Sequence, residues 1–203
     1  MIRESISNNP PPGYFSLEDA KKCRLAADSL CESGQVVLLV APNSELSSFY
    51  LRHISRAVID QRGKGEGSIE IKKLLKNRDS ILTSINKLLN RRAVERVCEA
   101  SRERSEEIWL VESVNKATLP EVIFAAKTLR KLPGSGASLL ILADSENSRG
   151  LKELLHSVKV LRYDFSTPDV CEVKGALENT YADDLRSEIL AVAGAMKRKS
   201  ITE

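Results

Sequence analysis

Gln35-Val-Val-Leu-Leu-Val-Ala41 is the segment that most restricts how this chain folds. Its apolar side chains follow one another without the alternation of a half-exposed strand or the spacing of a one-faced helix. An unbroken β-branched and aliphatic run suits a strand covered on both faces, and such strands belong to parallel sheets enclosed by helices. Residues 107–113, with Ile-Trp-Leu-Val at their centre, and residues 137–143 carry the same signature. Residues 158–163 read as a fourth strand, and residues 68–71 are a candidate for a short one.

Helical patterns fill the intervals. Ser16 opens a helix, Ser16-x-x-Asp19 resembling a capping box with Asp in place of Glu. Leu17, Ala20, Leu25, Ala26 and Leu30 form its expected apolar face, and Gly34 ends it as a C′ glycine. Pro42-Asn43-Ser44 is loop chemistry, after which Ser44 or Ser47 caps a helix reaching about Ile59. Residues 61–67 are a glycine- and charge-rich loop. Residues 79–104 predict a helix whose stripe is Ile81, Ile85, Leu88, Leu89, Val94, Val97 and Cys98. Leu119-Pro120 starts another, with proline at its permissive first turn, and it ends near Leu132, before Pro133-Gly134-Ser135-Gly136. Residues 149–157, 168–179 and 182–199 supply the remaining helices.

Strand and helix thus alternate at βαβ spacing, without an internal repeat. The expected class is α/β, a parallel sheet with helices on both faces. The expected organisation is an extended arm over 1–15, where prolines forbid helix, an α/β domain over 16–166, and helices over 167–203 where a lid would sit. A chain of 203 residues, 42% of them hydrophobic, suffices to bury such a sheet. A charged fraction of 29% and a net charge of +3 imply neither disorder nor a wholesale polyanion-binding surface. The four cysteines lack CxxC spacing, which fits scattered thiols in a reducing cytosol. Residues 1–16 hold no apolar stretch of signal-peptide type, and the longest apolar runs are too short to span a bilayer. A cytoplasmic protein is expected. The terminal Lys197-Arg198-Lys199 would suit the inner face of a membrane only if the natural chain continued past Glu203.

The loop after the first strand is where such sheets bind phosphates. A working phosphate loop reads G-x-x-x-x-G-K-[ST]: glycines wrap the phosphates, lysine neutralises them and the hydroxyl holds magnesium. Here the run is Ala41-Pro42-Asn43-Ser44-Glu45-Leu46-Ser47-Ser48. Ser48 stands in the hydroxyl's place, Leu46 in the second glycine's and Ser47 in the lysine's. Glu45 adds a negative charge, and two like unit charges about 4 Å apart cost roughly 4 kcal/mol at an effective dielectric near 20. The second strand ends in Glu112, where a metal-linked aspartate belongs, and Ser113, where an activating glutamate belongs. The third would carry its polar sensor at Asp144 or Ser145. Asn43, Ser44, Ser47, Ser48 and Glu112 are therefore the expected residues of a weak, remnant nucleotide site. No ATP cofactor, metal or catalytic residue is expected. The plainer alternative is an ordinary βα unit of a doubly wound fold, with Ser48 a helix-cap residue.

The order of these parts, from Phe15-Ser16-Leu17-Glu18 through Leu51-Arg52-His53-Ile54 to the later strands, resembles the AAA+ ATPases over residues 15–180. It is most similar to the bacterial branch of the ExeA and GspA secretion ATPases and DamX-type proteins, in which Leu-Leu-Arg follows the phosphate loop. The resemblance implies an assembly protein of envelope machinery, oligomeric or part of a hetero-complex. With both Walker motifs degenerate, the expectation is a pseudo-ATPase scaffold or adaptor that binds other proteins. One alternative is a diverged NTPase using Ser48, Glu112 and a lysine such as Lys116 or Lys127. Another is a nucleic-acid-associated inactive subunit of clamp-loader type. Nucleic acid is not the favoured partner. Arg91, Arg92, Arg96, Arg102 and Arg104 are interleaved with glutamates, and aromatics are only 4%. His53 and His156 lack partners at metal-ligand spacing, and Trp109 reads as core.

Overall fold

The computed structural model describes residues 10–62, 70–73, 78–98, 107–112, 114, 118–132, 136–144 and 148–202. Its strands are β1 (Val36–Ala41), β2 (Glu70–Lys73), β3 (Glu107–Val111), β4 (Ala137–Asp144) and β5 (Leu161–Asp164). Its helices are α1 (Leu17–Leu30), α2 (Ser44–Arg62), α3 (Arg78–Cys98), α4 (Leu119–Lys131), α5 (Ser148–Ser157), α6 (Val170–Asn179) and α7 (Asp183–Thr202). The five strands form one sheet in the order β2-β3-β4-β1-β5, every pairing parallel.

Alternate residues of a strand point to opposite faces, which explains the unbroken apolar runs. Val36, Leu38, Val40, Trp109, Leu139 and Ile141 meet α3, α4 and α5 on one side. Val37, Leu39, Ile108, Leu110, Leu140 and Leu142 meet α1, α2, α6 and α7 on the other. The expected α/β sandwich is present, with Trp109 in its core at 2% exposure. The Trp109 indole N–H donates to Glu107 Oε2 at 3.1 Å, and Arg91 pairs with Glu107 Oε1 at 2.7 Å. That ion pair joins α3 to β3 rather than running along one helix.

Several local expectations need correction. Ser16 does cap α1, accepting from the Asp19 N–H at 3.1 Å. The buried face, however, is Asp19, Cys23, Ala26, Ala27 and Leu30, while Leu17 and Leu25 are exposed. Small side chains let α1 approach its neighbours closely, and Asp19 is tolerated inside because Tyr50 donates to its Oδ2 at 3.0 Å. The α1 C-cap is Cys31, and Gly34 serves instead in the turn before β1, with φ of 84°. Leu89 is exposed on α3. The side chains of Val94, Val97 and Cys98 lie outside the described residues.

β5 begins three residues later than expected, because Val158 still donates back to the Leu154 carbonyl at the end of α5. As an edge strand it alternates half-buried and exposed positions. Of the expected extended arm, residues 11–14 form a turn instead, with the Tyr14 N–H donating to the Pro11 carbonyl at 3.1 Å, and residues 1–9 lie outside the described residues. Gly13, at φ of 87°, donates to Thr180 Oγ1 at 2.8 Å, tying this turn to the α6–α7 connection. α7 in turn packs on α2. Of the expected loop at residues 61–67, Gln61 and Arg62 still belong to α2, which runs past the expected end near Ile59, and residues 63–67 lie outside the described residues.

Candidate functional site

Because every strand is parallel, α2, α3, α4 and α5 all begin at the carboxyl edge of the sheet. The order reverses around β1, whose neighbours β4 and β5 come late in the chain. Crevices at such reversals are where open α/β sheets bind ligands. The candidate site is therefore the edge formed by the ends of β1, β4 and β3.

Only Pro42 and Asn43 separate β1 from α2. Pro42 carries no N–H. Asn43 Oδ1 accepts from the Leu46 N–H at 2.8 Å, and the Asn43 carbonyl accepts from the Ser47 N–H at 3.0 Å. Asn43 is thus the N-cap of α2, a role expected of Ser44 or Ser47; an amide side chain that reaches the third residue on caps at least as well as a hydroxyl. Ser44 is exposed and donates to Glu45 Oε2 at 3.1 Å. Glu45 lies in the first helical turn, where its charge complements the helix dipole.

Leu46 is fully buried, packed with Phe49 and Tyr50 in the core under α2. Ser47 is buried at 5% exposure, and its Oγ has no hydrogen-bond partner among the described residues. Ser48 faces solvent. Four of the five expected site residues, Asn43, Ser44, Ser47 and Ser48, thus share the cap and first turns of one helix, with side chains facing different ways.

Glu112 stands apart from them. β4 pairs with β1 at Ala41–Asp144 and with β3 at Val111–Ile141. Glu112, one residue past Val111, falls two residues short of the Ala41–Asp144 level. It is also two strand spacings, about 10 Å, to the side. It is exposed. Ser113, Ser145 and Lys116 lie outside the described residues, as does the Asp144 side chain. Lys127 is exposed on α4, eight residues and so about 12 Å along that helix from its start at this edge.

Reading the sequence missed an ion pair at the same end. Arg78 Nε meets Glu121 Oε1 at 2.7 Å, joining the first turns of α3 and α4. Glu121 is 7% exposed, and its Oε2 has no hydrogen-bond partner among the described residues. The signal available was an acid in the first turn after Leu119-Pro120, but its cation is 43 positions earlier. Among the described residues at this end Glu45, Asp79, Glu112, Glu121 and Asp144 are acidic, and Arg78 is engaged by Glu121. The described residues include no group of three or more side chains able to hold a metal ion. No described helix is long and apolar enough to cross a membrane.

Fold and site together define a parallel α/β domain with a helix-capped junction at its ligand edge. Solved structures similar to this chain are AAA+ ATPases. The Trip13 structure from Rhizobiales is 10% identical over 76% of this chain and 61% of its own, with a TM-score of 0.49. Drosophila ORC bound to DNA is 10% identical over 92% of this chain and 48% of its own, with a TM-score of 0.48. The HORMA:CdnC:Trip13 complex of E. coli MS115-1 is 12% identical over 74% and 58%, with a TM-score of 0.46. The chain therefore spans about half to three fifths of the length of the structures it matches. No protein-family model matches it, and no curated protein matches it in sequence.

Proposed function

We propose that this chain is a non-catalytic AAA+-like module, a scaffold or adaptor that binds other proteins within a larger assembly and does not hydrolyse ATP efficiently. The observation that carries this reading is the junction between β1 and α2. A phosphate cradle needs several successive backbone amides turned toward one anion. Of the eight residues Ala41–Ser48, one ends the strand and five are already helical. The two that remain are a proline without an N–H and an asparagine whose side chain occupies the helix N-terminus. Leu46 fills the volume that a glycine would leave open, and Glu45 puts a carboxylate at the end of the helix that would otherwise attract an anion.

Asn43, Ser44, Ser47, Ser48 and Glu112 are then the remnant of a nucleotide site. ATP is not a cofactor of the protein in this reading. The resemblance to the bacterial ExeA, GspA and DamX-type branch, carried by Leu51-Arg52 after the degenerate loop, supports an assembly of bacterial envelope machinery at the cytoplasmic side. Parallel α/β sheets of this kind can be kept for their interfaces after their chemistry is gone, because packing depends on the core rather than on the loop. Isothermal titration with Mg-ATP is expected to give no heat of binding. Micromolar binding, or turnover abolished by Glu112→Gln, would overturn the proposal.

A further inference from the structure

The contact between α2 and α7 contains buried polar atoms that have no hydrogen-bond partner among the described residues. Arg52 Nη1 and Arg56 Nη2 reach Glu188 Oε1 at 3.2 and 3.1 Å, and Arg56 Nη2 also reaches Asp184 Oδ2 at 3.4 Å. The other terminal nitrogen, Arg56 Nη1, is buried with no hydrogen-bond partner among the described residues. So is Nε2 of His53, one turn earlier on α2, in a side chain 4% exposed. A guanidinium only donates, so what Arg56 lacks is an acceptor. Burial, with Arg56 and Arg52 close by, lowers the His53 pKa to about 4, leaving a neutral ring whose Nε2 donates in one tautomer.

Both residues line a groove of about 760 Å³ between the Pro11–Tyr14 turn, α1, α2 and the start of α7. Pockets of roughly 300–1,000 Å³ suit small organic ligands. Lys21 and Arg24 stand on its α1 wall, and neither makes an ion pair with a described residue. Leu17, Ala57 and Leu185 supply apolar surface. Asp60 and Asp184 also line it, so the groove tolerates a small negative charge and opposes a polyanion. Glu188, whose Oε2 is likewise buried without a partner among the described residues, does not line it.

We propose that this groove binds a small organic anion, an oxyanion head on an apolar body, whose oxygens accept from Arg56 and His53 and whose charge is met by Arg24 and Lys21. The site lies along α1 and α2, its His53 ten residues and so about 15 Å along α2 from the Asn43 cap, and stands independently of the scaffold reading. A carboxylate and a phosphate monoester share the chemistry, and separate probes distinguish them.

The test titrates the intact chain with benzoate, phenyl phosphate and neutral benzamide, following the His53 ring nitrogens by NMR. One anion is expected to move the His53 Nε2 signal saturably, and benzamide to bind about tenfold more weakly or less, the effect of losing one charge-assisted hydrogen bond. Arg24→Gln, on an exposed position outside the α2–α7 contact, should weaken the anion by a similar factor without changing the melting temperature. Arg56→Lys should weaken it too, and a folded spectrum would show that α7 stays docked. The proposal fails if no probe shifts His53, if benzoate and benzamide bind equally, or if Arg24→Gln binds both anions as the wild type does. It fails equally if a crystal structure soaked in the probes shows water alone on His53 Nε2 and Arg56 Nη1.

Discussion

Acidification should destabilise this fold through His53. Its ring packs against Tyr14 at a centroid distance of 4.3 Å and Phe49 at 4.5 Å, almost wholly removed from water. Burial is the main reason its pKa falls from 6.5 to about 4, and the positive charges of Arg56 and Arg52 add to it. Between those two values the unfolded chain binds the proton and the folded chain does not, so stability rises with pH across this window. The contribution is complete above the unfolded value and is lost as the pH falls toward the folded one. At 1.36 kcal/mol per unit, going from about pH 7.5 to about pH 4.5 removes about 2.5 kcal/mol.

Asp19 works in the opposite sense. Desolvation raises its pKa above 3.8, so its protonated form is favoured in the fold and its contribution falls as the pH rises past that value. A single titration would mix the two. Urea unfolding across the pH range should therefore be run on the wild type and on His53→Phe, which keeps an aromatic ring between Tyr14 and Phe49. The wild type should lose about 2.5 kcal/mol more than the variant on acidification. Parallel stability curves for the two proteins would refute the argument.

Leu46→Ala should cost about 2–5 kcal/mol by denaturant unfolding, because a fully buried side chain in a packed cluster is removed. The pair Leu46→Gly and Ser47→Lys, which restores two motif residues, should still give no heat with Mg-ATP, since α2 already starts at Ser44. Asn43→Ala should lower stability by about 1 kcal/mol through loss of the α2 cap, read as a shift in the urea midpoint without a change in slope. Tyr50→Phe, which removes a hydrogen-bond donor from buried Asp19, should cost about 1–3 kcal/mol by the same assay.

The strands were legible because their burial is uniform. Val36–Ala41 and Leu139–Ala143 touch helices on both faces, so every residue in them is apolar, and the run itself marks the strand. The edge strands were harder. β2 and β5 are each four residues long, and β5 alternates half-buried with exposed positions, so their ends depend on neighbours rather than on composition. The face of α1 was misread for a related reason. Leucine at 17 and 25 looked like core, whereas close helix packing selected Cys23, Ala26 and Ala27 and admitted Asp19. At the candidate site the departures at Leu46 and Ser47 were plain in the sequence. That the junction has only two residues was not, because helix initiation at Ser44 depends on the Asn43 cap and on Leu46 finding a buried place.

Local sequence determined which segments are strands and helices and in what order they come, because hydrophobic period and capping act over a few residues. Tertiary structure alone decided the strand order β2-β3-β4-β1-β5 and the distance of Glu112 from the α2 cap. It also decided the meeting of Arg78 with Glu121, and of His53 and Arg56 with the Pro11–Tyr14 turn. These relations join residues tens of positions apart. Their energies come from burial and charge pairing across elements, which no window along the chain contains.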